Sequence, residues 1–161
     1  MPKRKPIDNI PIWYDRECAK SYTEKKEVPE YLINTDRIEY WDSLLEFKAY
    51  NKLLSMFDKS EILRQQNLIL FPACDYFKAW TWNIDFVINK HNPIYIEVKG
   101  KWIIDSPKLN SFWHTLKVCQ IHKPNIFNRL LLIGKDEKWK IPTTNIIVHP
   151  LEDLKNVLGK I

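Results

Sequence analysis

Glycine occurs only three times in 161 residues, at Gly100, Gly134 and Gly159. So small a supply excludes collagen-like and linker-like chains, and no internal repeat or low-complexity tract runs through the sequence. Cysteine is as scarce. Cys18, Cys74 and Cys119 are odd in number, far apart and in no Cys-x-x-Cys pair, which points away from a disulfide framework and from a zinc site. They are expected to be reduced and mostly buried. No apolar run approaches the roughly 20 residues of a membrane span, and the opening Met-Pro-Lys-Arg-Lys-Pro leads into no apolar signal segment. A soluble intracellular protein with no membrane partner is expected. His91, His114, His122 and His149 show no ligand spacing and are read as turn, loop or helix-surface residues.

What the chain does have is apolar content of 45% and aromatic content of 13%, enough for one compact core. Its net charge of +5 is unevenly spread. Residues 1–40 hold eight Lys/Arg against eight Asp/Glu, whereas residues 86–140 hold ten against four. That basic stretch, including Lys101, Lys108 and Lys117, is read either as a solvated face or as a surface for a polyanion.

Residues 1–40 contain Pro6, Pro11 and Pro29 and several aromatics without helical period. They are read as an irregular N-terminal arm that could include a hairpin, with residues 41–161 as a single folded core. A helix of about four turns is expected over 42–58, with Asp42 as its N-cap and Leu45, Ala49, Tyr50, Leu53, Leu54 and Phe57 on one stripe. A short strand at 67–71, stopped by Pro72, precedes two longer strands at 80–88 and 94–100, which flank a five-residue loop. After Pro107 the residues Leu109, Phe112, Trp113, Leu116 and Cys119 mark a second amphipathic helix, ended by Pro124. Strands at 129–134 and 145–148 and a helix at 151–158 follow. This order argues an α/β fold with a mixed central sheet and flanking helices.

The chemistry concentrates in the hairpin. A loop symmetric about His91 puts Asp85 across from Glu97, with Ile84, Phe86, Ile88, Ile94, Ile96 and Val98 on one face and Asn83, Asp85, Tyr95, Glu97 and Lys99 on the other. Like charges across a strand pair are destabilising. A divalent cation between the two acids would remove the conflict, since Mg²⁺ is commonly held by one or two carboxylates together with phosphate oxygens. Glu46 lies on the apolar stripe of the first helix, and two readings compete for it: a carboxylate serving the same site, or a charge complementing the helix N-terminus. Glu-x-Lys occurs three times, but only Glu97/Lys99 lies in a strand, follows an acid on the neighbouring strand and ends at a glycine, Gly100, that admits another backbone or a phosphate. Gln65 and Gln66 are left outside the site as loop residues, and Trp102 and Trp113 are assigned to core packing rather than base stacking.

Asp85, Glu97-Val98-Lys99 and Glu46, with the segments Asp42-Ser-Leu-Leu-Glu-Phe-Lys and Ile96-Glu-Val-Lys-Gly-Lys-Trp102, resemble the signature of the PD-(D/E)XK nuclease superfamily. The likeness is to small phage and mobile-element endonucleases, among them junction-resolving phage endonuclease I and intron-encoded homing enzymes. It spans residues 36–135 and departs from the motif's name at Ile84, which stands in place of proline. The resemblance implies a restriction-endonuclease-like αβββαβ core and a Mg²⁺-dependent endodeoxyribonuclease, with Mn²⁺ able to substitute. Asp85, Glu97 and the Val98 carbonyl would be metal ligands, with Glu46 reaching the metal directly or through water. Lys99 would orient water or neutralise the phosphate, and DNA would be the partner of a homo-oligomer in the cytoplasm of a prokaryotic or phage-infected cell. Lys101, Lys108 and Lys117 are the candidate DNA contacts. Two other readings stay open, a non-cleaving nucleic-acid-binding protein that keeps the fold and an RNA-processing nuclease.

Overall fold

The computed structural model describes residues 7–161, so the opening Met1 to Pro6 lies outside the described residues. The chain is α/β and divides into two compact units, one reaching to Tyr50 and one from Asn51 onward.

The first unit contains the hairpin allowed for in the N-terminal arm, and a third strand makes it more regular than expected. Strands β1 (Ile12–Asp15), β2 (Lys20–Tyr22) and β3 (Ile38–Trp41) form an antiparallel sheet in the order β2-β1-β3. Tyr22, Val28 and Leu32 form one buried apolar cluster, with Trp13, Ile33 and Ile38 packed against it, and Ile12 and Trp41 of the sheet are buried as well. Ion pairs next to the strands add to this apolar packing. Arg16 donates to Glu39 through two nitrogens at 2.8 and 2.6 Å, and Arg37 donates to Asp15 at 2.8 and 2.7 Å. Two-pronged guanidinium–carboxylate bonds are the strong form of this contact. Proline spacing and alternating charge concealed these strands, because none is longer than four residues.

Asp15 is only 1% exposed. The Arg37 guanidinium, aided by the Cys18 and Glu17 N–H groups and opposed by burial, pulls its carboxyl down to about 2. A carboxyl lowered on folding contributes stability that is complete above its unfolded pKa of about 4 and is lost as the pH falls through the folded value. Acid unfolding followed by tryptophan fluorescence should therefore show a component between about pH 4 and pH 2. Asp15→Asn should lack that component and be less stable than the wild type at neutral pH. An unchanged acid limb in the variant would refute the linkage.

Helix α1 (Leu44–Leu54) begins in the first unit and ends in the second. It has 11 residues and starts two positions later than expected. Ser43, not Asp42, caps it, with the Glu46 N–H donating to Ser43 Oγ at 3.1 Å. Its far end is also earlier, because Asp58 and Glu61 form a capping box for a 3-10 turn at Lys59–Glu61 and so cannot extend the helix.

The second unit carries a six-stranded mixed sheet in the order β4-β5-β6-β7-β9-β8. β4 (Ile62–Phe71), β5 (Trp80–Ile88) and β6 (Ile94–Val98) run antiparallel in sequence. β7 (Leu130–Gly134) then joins parallel to β6, and β9 (Ile147–Pro150) parallel to β7, while β8 (Trp139–Lys140) closes the edge antiparallel to β9. A parallel neighbour needs a crossover connection. Here it contains α2 (Lys108–His122) and α3 (Pro124–Phe127), where Pro124 opens α3 as its first residue besides ending α2. A short helix, α4 (Leu154–Leu158), ends the chain. Phe112, Leu116 and Cys119 of α2 join Trp82, Ile84, Val87 and Leu132 in a buried cluster, against which Trp102 and Trp113 pack as core residues. Only Cys119 of the three free cysteines is buried, and burial pushes its thiol up to about 11. Cys18 and Cys74 are exposed, contrary to expectation. Among the described residues, no helix is long and apolar enough to cross a membrane.

Candidate active site

The ladder pairs Phe86↔Ile96, Val87↔Tyr95 and Ile88↔Ile94 set the β5–β6 register. It is the register that a loop symmetric about His91 requires. Continued past Phe86, it places Asp85 across from Glu97, and both are buried, at 8% and 4% exposure. Buried carboxylates are costly unless bonded or paired. Both have such partners. Asp85 Oδ2 accepts the Val98 N–H at 2.7 Å, and Glu97 Oε2 accepts the Asp85 N–H at 3.4 Å. Lys99 Nζ stands 2.7 Å from Glu97 Oε1, because side chains two apart on a strand share a face. The Lys99 ammonium also lies 4.7 Å from the centre of the Phe112 ring, so α2 walls the lysine on one side. The Lys99 N–H donates to Ile133 O at 2.7 Å, which extends β6 pairing with β7 by one residue and holds the lysine backbone firmly.

Gln65, left out on sequence, belongs to this group. β4 begins at Ile62 rather than at residue 67, so Gln65 is within the strand. It lies between the pairs Arg64↔Phe86 and Gln66↔Ile84, level with Asp85. Gln65 Nε2 donates to Asp85 Oδ1 at 3.2 Å and Asn83 Nδ2 donates to Gln65 Oε1 at 2.6 Å. The polar run Arg64-Gln65-Gln66-Asn67 concealed the strand. Its one visible signal was the opposing polar pair Asn83 and Asp85 on β5.

Glu46 is in the third position of α1 and belongs to the first unit. Ser43 Oγ donates to Glu46 Oε1 at 3.1 Å while accepting the Glu46 N–H, so the Ser-x-x-Glu sequence acts as a capping pair. Ser43→Ala is expected to lower stability by about 0.5–2 kcal/mol, read from denaturant unfolding. A change within about 0.3 kcal/mol would mean that the cap contributes little.

The three candidate DNA-contacting lysines are all exposed. Lys101 Nζ pairs with Glu137 at 2.6 Å, Lys117 Nζ lies 5.1 Å from the Trp113 ring centre, and Lys108 opens α2. A Cβ at Gly100 would sit 2.5 Å from Trp102 Nε1, so the missing side chain makes room for the chain's own indole.

Among the described residues, no three His, Cys, Asp or Glu side chains form a metal-binding group. The donors at hand are the Asp85 and Glu97 carboxylates and neighbouring backbone carbonyls, a hard all-oxygen set. That set fits Mg²⁺ or Mn²⁺, which take one or two carboxylates and complete their shell with water and substrate oxygens, better than it fits zinc. The buried acid pair, the lysine bound to it and the Gln65 amide beside it make one polar, charged cluster across β4, β5 and β6. Comparison of the chain with family models, with curated proteins and with solved structures returns no match.

Proposed function

We propose that the protein is a metal-dependent endodeoxyribonuclease of the PD-(D/E)XK type, with its reactive centre at Asp85, Glu97 and Lys99. The observation that carries this reading is the burial of two carboxylates on adjacent strands with a lysine ammonium 2.7 Å from one of them. Two acids and one lysine brought together on adjacent strands are the side-chain set that a divalent cation bridging to a phosphate would use. The order of α1, three antiparallel strands, α2 and a parallel strand is the one an αβββαβ nuclease core would have, which supports the same reading.

Asp85, Glu97 and the Val98 carbonyl would hold the cation. Mg²⁺ at such a site polarises the phosphate and acidifies water. Lys99 keeps a fixed positive charge where negative charge develops on phosphorus oxygens, a preorganised form of transition-state stabilisation. Lys101, Lys108 and Lys117 present exposed charge to the backbone. Glu46 lies in the first unit and pairs with Ser43, and Glu46→Gln, which also serves that capping pair, tests whether catalysis needs its charge. Loss of cleavage with stability within about 0.3–1 kcal/mol of the wild type would give Glu46 a role beyond the cap, and retained cleavage would leave it as a cap only.

Substrate class is tested by incubating the protein with linear duplex, cruciform DNA and RNA in Mg²⁺ or EDTA. Mg²⁺-dependent cutting of DNA is expected. Cutting of RNA alone would make the protein an RNA-processing nuclease, and tight DNA binding with no cutting would make it a binding protein.

A further inference from the structure

Gln65 has a backbone φ of 49°, a left-handed conformation in the interior of a ten-residue strand. A residue with a Cβ adopts this region only at an energetic cost, and such outliers gather at functional sites. The side chain at this position is not loose. The Asp85 carboxylate only accepts, so the Gln65 amide turns Nε2 toward Asp85 Oδ1, 3.2 Å away, and its Oε1 accepts from Asn83 Nδ2 at 2.6 Å. On the other side Val98 N–H donates to Asp85 Oδ2 at 2.7 Å. The Asp85 carboxylate is thus gripped through both oxygens, by β4 on one side and β6 on the other.

We infer that Gln65 is a positioning residue that sets the Asp85 carboxylate for a divalent cation, an inference that rests on the metal-dependent reading above. Neighbours that orient a ligating carboxylate commonly change metal affinity by about 10–100-fold when removed. The β4–β5 register brings the amide level with Asp85, and the hydrogen bond from Asn83 holds its other end.

Mn²⁺ binding to the intact protein, measured by calorimetry without DNA, tests this independently of turnover, with thermal unfolding run in parallel. Gln65→Gly accepts φ of 49° without strain, so its melting temperature should match or exceed the wild type's while Mn²⁺ affinity falls by about tenfold or more. Gln65→Glu puts a third carboxylate beside Asp85. Without Mn²⁺ it should melt lower than the wild type, and with Mn²⁺ it should recover and bind at least as tightly. Wild-type affinity in Gln65→Gly together with an unaltered Mn²⁺ response in Gln65→Glu would overturn the assignment of Gln65 alone. Failure of the wild type itself to bind Mn²⁺ would overturn both this inference and the metal-dependent reading.

Discussion

Glu97→Ala and Asp85→Ala are each expected to reduce Mg²⁺-dependent DNA cleavage to background while leaving DNA binding unchanged or tighter. On the proposed function each change would remove a cation ligand from a two-carboxylate site and a negative charge that repels phosphate. Glu97 is the more demanding case, because Lys99 Nζ is bound to it. Its alanine variant frees that ammonium toward the substrate, so binding should tighten while chemistry stops. Glu97→Gln keeps the shape of the side chain and serves as the check on folding. The readouts are single-turnover cleavage and equilibrium binding in Ca²⁺. Cleavage near the wild-type rate in either alanine variant would remove the acid pair from the reaction.

Lys99→Ala should lower single-turnover cleavage by about 10²–10³-fold at saturating protein, where loss of affinity no longer matters. Lys99 is set apart by its place. It is half-buried between Glu97 and the Phe112 ring, and its own N–H is held by Ile133 O at the end of β6. Lys117 is exposed on α2, and Lys117→Ala should only weaken binding and reduce the salt slope by about one. Because removing one partner of a buried pair can itself destabilise a protein, thermal unfolding must show Lys99→Ala folded at the assay temperature. Equal and mild effects at both lysines would favour a binding protein over an enzyme.

The centre of the site was legible because it depends on local pattern. The β5–β6 register follows from an alternating apolar face and a five-residue loop, and register alone decides which side chains meet. The crossover through α2 was legible for a similar reason, since Phe112, Leu116 and Cys119 repeat at helical spacing. Gln65 was not, because polar residues facing a polar neighbour look like loop in one dimension. The strand shows itself only when its pairing with Asn83 and Asp85 is in hand. The N-terminal sheet was hidden by strand length, its order resting on cross-strand contacts such as Arg37 with Asp15, 22 positions apart. The helix start was misplaced by one plausible cap over another: Asp42 has the right chemistry, but Ser43 stands three residues before Glu46, the spacing that a capping pair needs.

The central claim, that the Asp85, Glu97 and Lys99 cluster cuts DNA with a bound divalent cation, is tested most directly on supercoiled plasmid with the wild type and the double variant Asp85→Asn/Glu97→Gln. The wild type should open the circle in Mg²⁺, stop in EDTA and resume when Mg²⁺ is restored in excess, and the double variant should bind the plasmid and leave it closed. Cleavage by the double variant, or wild-type cleavage that persists in EDTA, would contradict the account.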